Sequence, residues 1–330
     1  MSRLLVTGAT GFLGQYVVRA LAARGHEVVL LARTKADFDD VEATLFQGDI
    51  LDSAAVRAAS AGCEGVFHCA GKVSRDRADA EELHRVHVEG TKTVLDAARA
   101  AGVKRAVVAS TSGTVALSED ARVIDERATA PMRLIAKFPY YRSKYYAEQS
   151  AFERNDPPNF EVVLVNPTLL LGPGDLRGSS TEDVSDFIEG RIQAIPTGGL
   201  SFVDARDAAE GMVLAFEKGR PGERYLLAAQ NLTTRAFCEK LERVSGIEAP
   251  KVWLPKASWL ADVAVRLDEA LAKRLDTKPK LNPVSVEMAQ LYWYVDSKKA
   301  REELDWLPRD PTETLAETVS DLRSRGVVWS

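Results

Sequence analysis

Residues 7–14 read Thr-Gly-Ala-Thr-Gly-Phe-Leu-Gly, with three glycines three residues apart. They stand between an apolar run, Arg3–Thr7, and a stretch with helical periodicity from Phe12 to Arg24. A turn that leads from a strand into a helix exposes the helix's first free N–H groups and the positive end of its dipole, so it is a natural seat for an anion. Each glycine has a steric reason: Gly8 permits the tight turn, Gly11 lets the backbone approach phosphates, and Gly14 lets helix pack on strand. The spacing is G-x-x-G-x-x-G rather than the commoner G-x-G-x-x-G, so placement carries more weight than pattern. The bland alternative, a glycine-rich turn without a ligand, is disfavoured by the strand before it and the helix after it. Gly8, Thr10, Gly11, Phe12 and Leu13 are therefore expected to meet the pyrophosphate of a dinucleotide.

The rest of the first half repeats the strand and helix alternation of βαβ units. Strands are expected over Arg3–Thr7, Glu27–Ala32, Thr44–Gln47, Gly65–Cys69, Arg105–Ser110 and Glu161–Asn166, and helices over Phe12–Arg24, Ala80–Ala101 and Tyr140–Arg154. This predicts an α/β fold with a Rossmann-type doubly wound parallel sheet and a smaller, mostly helical C-terminal substrate lobe. Residues 1–166 form the dinucleotide-binding domain in this reading, and the proline- and glycine-rich stretch after Asn166 opens the second lobe. A helix near 204–217 and a strand Glu223–Leu227 return to the sheet, so 203–229 belongs with the first domain, and 167–202 with 230–330 form the substrate lobe. Apolar residues at 45% and charged residues at 28% suit a globular chain of this length. A net charge of −5 with scattered Lys and Arg gives no footprint for nucleic acid. Cys63, Cys69 and Cys238 form no C-x-x-C pair, and no signal peptide or membrane span is evident, so a cytoplasmic setting is expected.

The strand ends carry further information. The second ends in Leu31-Ala32-Arg33, where many NAD-binding sheets place an acid on the ribose 2′-hydroxyl. Arg33 suits a 2′-phosphate better, so NADP is preferred over NAD; the alternative is an ordinary exposed arginine. Asp49, followed by Ile50, ends the third strand, where a carboxylate can accept from an adenine amino group. Cys69-Ala70-Gly71 ends the fourth, with small residues that allow close cofactor approach.

Pro139-Tyr140-Tyr141-Arg142-Ser143-Lys144 sets Tyr140 and Lys144 at i and i+4 on one helix face. An ammonium beside a phenol favours the phenolate and brings a group that titrates near pH 10 closer to working pH, so that Tyr140 can act as general acid or base. Tyr141, Tyr145 and Tyr146 lack a lysine four residues on. Alone, the pattern is an ordinary helix pair; downstream of a phosphate cradle it gains meaning. The fifth strand runs into Ser110-Thr111-Ser112-Gly113-Thr114, which gathers hydroxyls at the carboxyl end of the sheet, where one can orient a substrate carbonyl.

Together these residues resemble the extended short-chain dehydrogenase/reductase family, also known as the NAD-dependent epimerase/dehydratase superfamily. Val88-Glu89-Gly90-Thr91, Asn166-Pro167-Thr168, Gly172-Pro173-Gly174 and residues 202–207 look like further family landmarks. The resemblance implies Tyr140 as acid/base, Lys144 on the nicotinamide ribose and lowering the phenol pKa, and Ser112 hydrogen-bonded to the reacting oxygen. Ser110 and Thr111 remain substitutes for Ser112, and Ser110, Asn166 and Pro167 are assigned to the cofactor pocket. One departure is His87, where the family often carries asparagine. Histidines 26, 68, 84 and 87 have no metal-ligand spacing, so no metal is expected.

Within the family, dehydratases resemble T-D-E where this chain reads Ser112-Gly113-Thr114, so elimination lacks its carboxylates. The segment Pro196–Asp204 lacks the arginine of an epimerase-like diphosphate clamp, although Arg177 and Arg191 stand elsewhere. The closest pattern is the dihydroflavonol-reductase and hydroxysteroid-dehydrogenase branch, which implies reduction of a ketone or aldehyde, or oxidation of the alcohol. Trp253, Trp259, Tyr292, Trp293 and Tyr294 suit an apolar small-molecule substrate, though such residues are more often core. The stretch 253–275 has an apolar stripe that fits a helix packed on the lobe better than a membrane surface. Rival readings are a nucleotide-sugar epimerase with tightly held NAD and a non-catalytic NAD(P)-binding sensor or scaffold, and a homodimer is what the resemblance suggests.

Overall fold

The computed structural model describes residues 1–34, 38–254 and 283–329. Its strands are β1 (Arg3–Thr7), β2 (Glu27–Ala32), β3 (Ala43–Gln47), β4 (Gly65–His68), β5 (Arg105–Ala109) and β6 (Glu161–Pro167). They continue as β7 (Leu169–Leu171), β8 (Ile195–Pro196), β9 (Gly199–Asp204), β10 (Arg224–Leu227), β11 (Gln230–Thr233) and β12 (Trp253–Leu254). The helices are α1 (Phe12–Ala23), α2 (Ser53–Ser60), α3 (Ala80–His84), α4 (Gly90–Ala100), α5 (Met132–Ile135) and α6 (Pro139–Phe152). Further along come α7 (Glu182–Ile188), α8 (Ala205–Lys218), α9 (Thr234–Ser245), α10 (Pro283–Met288), α11 (Lys298–Leu304) and α12 (Pro311–Ser324).

Side chains alternate along a strand, and a parallel sheet is covered on both faces, so its strands are apolar throughout. Leu4 and Val6 of β1 pack with Val17 and Leu21 of α1 and Met212 of α8, whereas Leu5 packs on the other face with Val56 of α2 and Val94 of α4. Seven strands run parallel in the order β10-β6-β5-β4-β1-β2-β3. The chain moves outward from β1 in both directions, and the crevice between the carboxyl ends of β1 and β4 is where such sheets hold a ligand. The glycine turn after β1 and residues 69–71 after β4 border that crevice.

A second layer lies beyond β6. Strands β11, β9 and β7 form a three-stranded sheet, and its core joins Leu171, Phe187, Phe202, Phe237 and Leu315 from β7, α7, β9, α9 and α12. A smaller apolar cluster brings Leu134, Ile135 and Phe138 against Val284 and Leu291, with Tyr141 and Trp293 at its edge.

The strands and helices expected from the sequence have their ends within two residues of the observed ones, with one exception, but strands β7, β9 and β11, in a lobe expected to be mostly helical, were not foreseen. The single helix expected over Ala80–Ala101 is α3, a π turn at Arg85–Glu89, and α4. A period of 3.6 read over five residues is too coarse to register one inserted residue. Of the amphipathic stretch 253–275, only Trp253 and Leu254 lie within the described residues, and Trp259 lies outside them. No described helix is long and apolar enough to cross a membrane.

Candidate active site

The glycine turn is shaped by contacts that exclude side chains. Gly8 has φ +74°, and a Cβ there would come within 2.5 Å of the Ala70 backbone nitrogen. A Cβ on Gly14 would collide with the Gly8 carbonyl. The first turn of α1 is thus pressed onto the ends of β1 and β4, with Gly11 at its N-cap making no side-chain cap, so the helix's leading N–H groups face the crevice. Thr10 is exposed, Gly11 and Leu13 are half-buried, and Phe12 is buried. These features fit a dinucleotide pyrophosphate. Arg33 is exposed at the end of β2, its carbonyl accepting from Gln47, and its guanidinium has no hydrogen bond among the described residues. Asp49 is half-buried and accepts from the Leu51 N–H, beside a half-buried Ile50. Cys69 and Ala70 are half-buried, and Gly71 is exposed next to the His87 and Lys144 side chains.

Pro139 opens α6 at its first position. One turn of this helix carries Tyr140 and Lys144. Lys144 Nζ donates to the Ala109 carbonyl at 3.0 Å, and burial lowers its pKa to about 8. The Tyr140 hydroxyl makes no hydrogen bond among the described residues, and burial, then the neighbouring Tyr141, pushes its pKa upward. Expectation and structure part company here: the ammonium is tethered to β5, and desolvation outweighs any help it gives the phenolate.

The turn after β5 separates its hydroxyls by what they bind. Ser110 Oγ donates to Glu148 Oε1 at 2.5 Å, and Thr114 Oγ1 donates to the same oxygen at 2.8 Å. Thr111 caps a 3₁₀ turn over Ser112–Thr114 by accepting from the Gly113 N–H. Ser112, 4% exposed, has a hydroxyl with no hydrogen bond among the described residues. Tyr141 lies over Gly113, where a Cβ would collide with its ring, and its ring centroid is 4.9 Å from that of Trp293. Trp293 is itself fixed by donating Nε1–H to the Met288 carbonyl. Two aromatic rings therefore wall the space beside Ser112.

Two features, Glu148 and Arg75, were missed in the sequence, whereas His68 was read there as structural. Glu148 is 1% exposed on α6, one turn after Lys144 on the Tyr140 face, and Asn166 Nδ2 joins Ser110 and Thr114 on its Oε1. Its Oε2 lies 3.1 Å from Arg224 Nη1, an ion pair misaligned for a hydrogen bond. The i, i+4, i+8 spacing of Tyr140, Lys144 and Glu148 was the available signal. Arg75 grips Asp183 of α7 with two hydrogen bonds of 3.0 and 2.9 Å and also donates to Ser285 of α10. His68, at the end of β4, sits between Thr7 and Thr91, and burial followed by Lys144 lowers its pKa to about 3. Pro167 is buried beside Asn166, and Arg191 is held by Asp186 and Glu189, whereas Arg177 is exposed. No group of three or more metal-ligating side chains occurs among the described residues.

Known proteins share the family and the fold of this chain. The model of the NAD dependent epimerase/dehydratase family matches residues 4–228. Sterol demethylase protein B of Methylococcus capsulatus is 32% identical over 98% of this chain and 99% of its own length. The 4-hydroxy-2-methyl-3-oxo-4-farnesyl-3,4-dihydroquinoline-1-oxide ketoreductase of Stigmatella aurantiaca is 32% identical over 93% of this chain and 92% of its own. The crystal structure of gox2253 superposes with a TM-score of 0.85 at 30% identity, covering all of both chains. The chain belongs to the NAD-dependent epimerase/dehydratase family and is an NAD(P)-dependent oxidoreductase of its extended short-chain type.

Proposed function

We propose that the chain reduces an apolar ketone or aldehyde with NADPH, or runs the reverse oxidation, with Tyr140, Lys144 and Ser112 as its working side chains. The observation that carries this is selective: among the hydroxyls after β5, Ser112 alone has no hydrogen bond to the described residues, and the Tyr140 phenol likewise has none to them. When bound, the nicotinamide supplies the hydride. Ser112 donates a hydrogen bond to the carbonyl oxygen, and Tyr140 delivers the proton that turns it into a hydroxyl. Lys144, anchored on Ala109, holds the nicotinamide ribose, and its charge stabilises the phenolate left by the transfer until a proton from solvent restores the phenol. The cofactor pocket in this reading comprises residues 8 and 10–13, Arg33, Asp49, Ile50, residues 69–71, Ser110, Asn166 and Pro167. Ser110 contributes backbone only, since Glu148 occupies its hydroxyl.

Residues 167–202 and 230–330 form the substrate side, and the Tyr141–Trp293 wall supports an apolar substrate. The ketoreductase relative, named for a farnesylated quinoline, and the sterol-named relative are consistent with that chemistry. An exposed Arg33, without an ion pair among the described residues, and the absence of an acid at the end of β2 favour NADP. A homodimer in the cytoplasm completes the proposal, and sedimentation tests the dimer. Loss of nicotinamide absorbance against a panel of apolar ketones, aldehydes and sugar nucleotides tests the reaction. Turnover of an apolar carbonyl is expected. Micromolar UDP binding with no carbonyl reduced would make the epimerase reading the better one.

A further inference from the structure

His87 is 2% exposed and sits on the π turn between α3 and α4, its ring edge-on to Tyr140 at 5.6 Å between centroids. Its hydrogen bonds fix its protons. Nε2 lies 3.1 Å from the backbone nitrogen of Lys72, a group that only donates, so Nε2 is unprotonated. Ser143 Oγ lies 2.8 Å from the Tyr140 carbonyl, a group that only accepts, so the serine proton is used there. Nδ1, 2.8 Å from the same Oγ, must then carry the imidazole proton and donate it. The series runs from Lys72 N–H to Nε2, from Nδ1–H to Ser143, and from Ser143 to the first turn of α6, with every proton placed. An imidazole committed on both sides has neither a lone pair nor a proton left for the phenol.

We infer that His87 is a positioning residue rather than a proton relay: it braces the turn bearing Tyr140 against the loop that carries Gly71 and Arg75. The inference rests on Tyr140 as the acid/base. Loop 71–76 borders the cofactor crevice at Gly71 and holds α7 through Arg75 and Asp183. The asparagine suggested by the family resemblance has too short a reach to join both partners. Its Nδ2 overlays Nδ1 and keeps Ser143, whereas a glutamine Oε1 overlays Nε2 and keeps Lys72. Histidine spans the two.

The two amides therefore separate the two contacts. His87→Gln frees Ser143 and is expected to lower kcat about 10- to 100-fold, as a small displacement of a reacting group does, with a smaller change in NADPH Kd. His87→Asn frees the Lys72 loop and is expected to raise NADPH Kd by a larger factor than it lowers kcat. In histidine-labelled full-length protein, nitrogen NMR is expected to show His87 as the neutral Nδ1–H tautomer throughout about pH 5 to 8. An Nε2–H tautomer, a titration that tracks kcat, or the same kcat-against-Kd split in both variants would overturn the inference. If no carbonyl is turned over, the proposed reaction fails alone, because the tautomer and the NADPH-binding arms still decide the role of His87.

Discussion

A hydroxyl's partner decides what it can do, and Ser110 and Ser112 differ in nothing else as residue types. Ser112→Ala is expected to lower kcat by about 10²–10³-fold, the scale of one lost donor to a developing oxyanion. Ser110→Ala is expected to cost about 1 kcal/mol of stability by taking a donor from Glu148, a loss read in urea melts. Tyr140→Phe keeps the ring and removes the proton, so turnover is expected to fall about 10²–10⁴-fold while NADPH still binds by calorimetry. Lys144 has a folded-state pKa of about 8, below its unfolded value, because burial disfavours its charge. The unfolded chain holds more protons than the folded one from about pH 8 to the unfolded value near 10.4, so stability rises with pH across that window. Lys144→Met is accordingly expected to raise the Tm at neutral pH while abolishing turnover; a lowered Tm would mean that the ammonium is better solvated than its surroundings suggest.

At the scale of elements, buried polar groups join strand ends and helices that hydrophobic packing alone leaves free to slide. His68 links Thr7 of β1 to Thr91 of α4 beneath the glycine turn, and its pKa of about 3 lies far below the unfolded value. In the window from about pH 6.5 down to 3 the unfolded state takes up a proton that the folded state refuses. Stability is therefore expected to fall with acidification by up to about 1.4 kcal/mol per pH unit from this residue. His68→Gln should flatten that slope in urea titrations between pH 7 and about 4.5, below which carboxylates add their own terms. Glu148 joins α6 to β5 and β6 through three donors and to β10 through Arg224. Glu148→Ala leaves that half-buried arginine without its carboxylate and three donors without their acceptor, and a loss of about 3–5 kcal/mol is expected, measured by chemical denaturation.

Over the whole molecule, the sheet supplies the crevice, and polar ties such as Gln15 to Gly174, Arg309 to Asp207 and those of Arg75 fasten the second layer to it. Arg75, with its paired bonds to Asp183 and a third to Ser285, joins the loop after β4 to α7 and α10 across a sequence separation of 108 residues for the first pair and 210 for the second. Arg75→Met is expected to speed hydrogen exchange in α7 and to raise KM for the carbonyl substrate, at a cost of about 1–3 kcal/mol in stability. Unaltered exchange in α7 would show that apolar packing holds the layer by itself. Arg33 stands at the carboxyl end of β2, on the β1 side of the crevice. Arg33→Asp should narrow or reverse the preference for NADPH over NADH, and equal affinities in the unaltered chain would place the guanidinium in solvent.

The sequence by itself determined the parallel sheet, the glycine turn and the Tyr140–Lys144 pair. The reason is locality: strand alternation, a position that admits no Cβ, and an i, i+4 spacing are written within a few residues of one another. Resemblance then singled out Ser112, and the structure supplies the physical ground for separating it from Ser110, the carboxylate of Glu148 arriving 38 residues later in the chain. The acidic hub, the Arg75 tie and the partners of His87 were decided only by the tertiary structure. Each joins residues from 15 to 210 positions apart on separate elements. The pKa of Tyr140 belongs with them: the spacing to Lys144 argued for a lowered value, but burial is a property of the packed molecule, and here it raises the value.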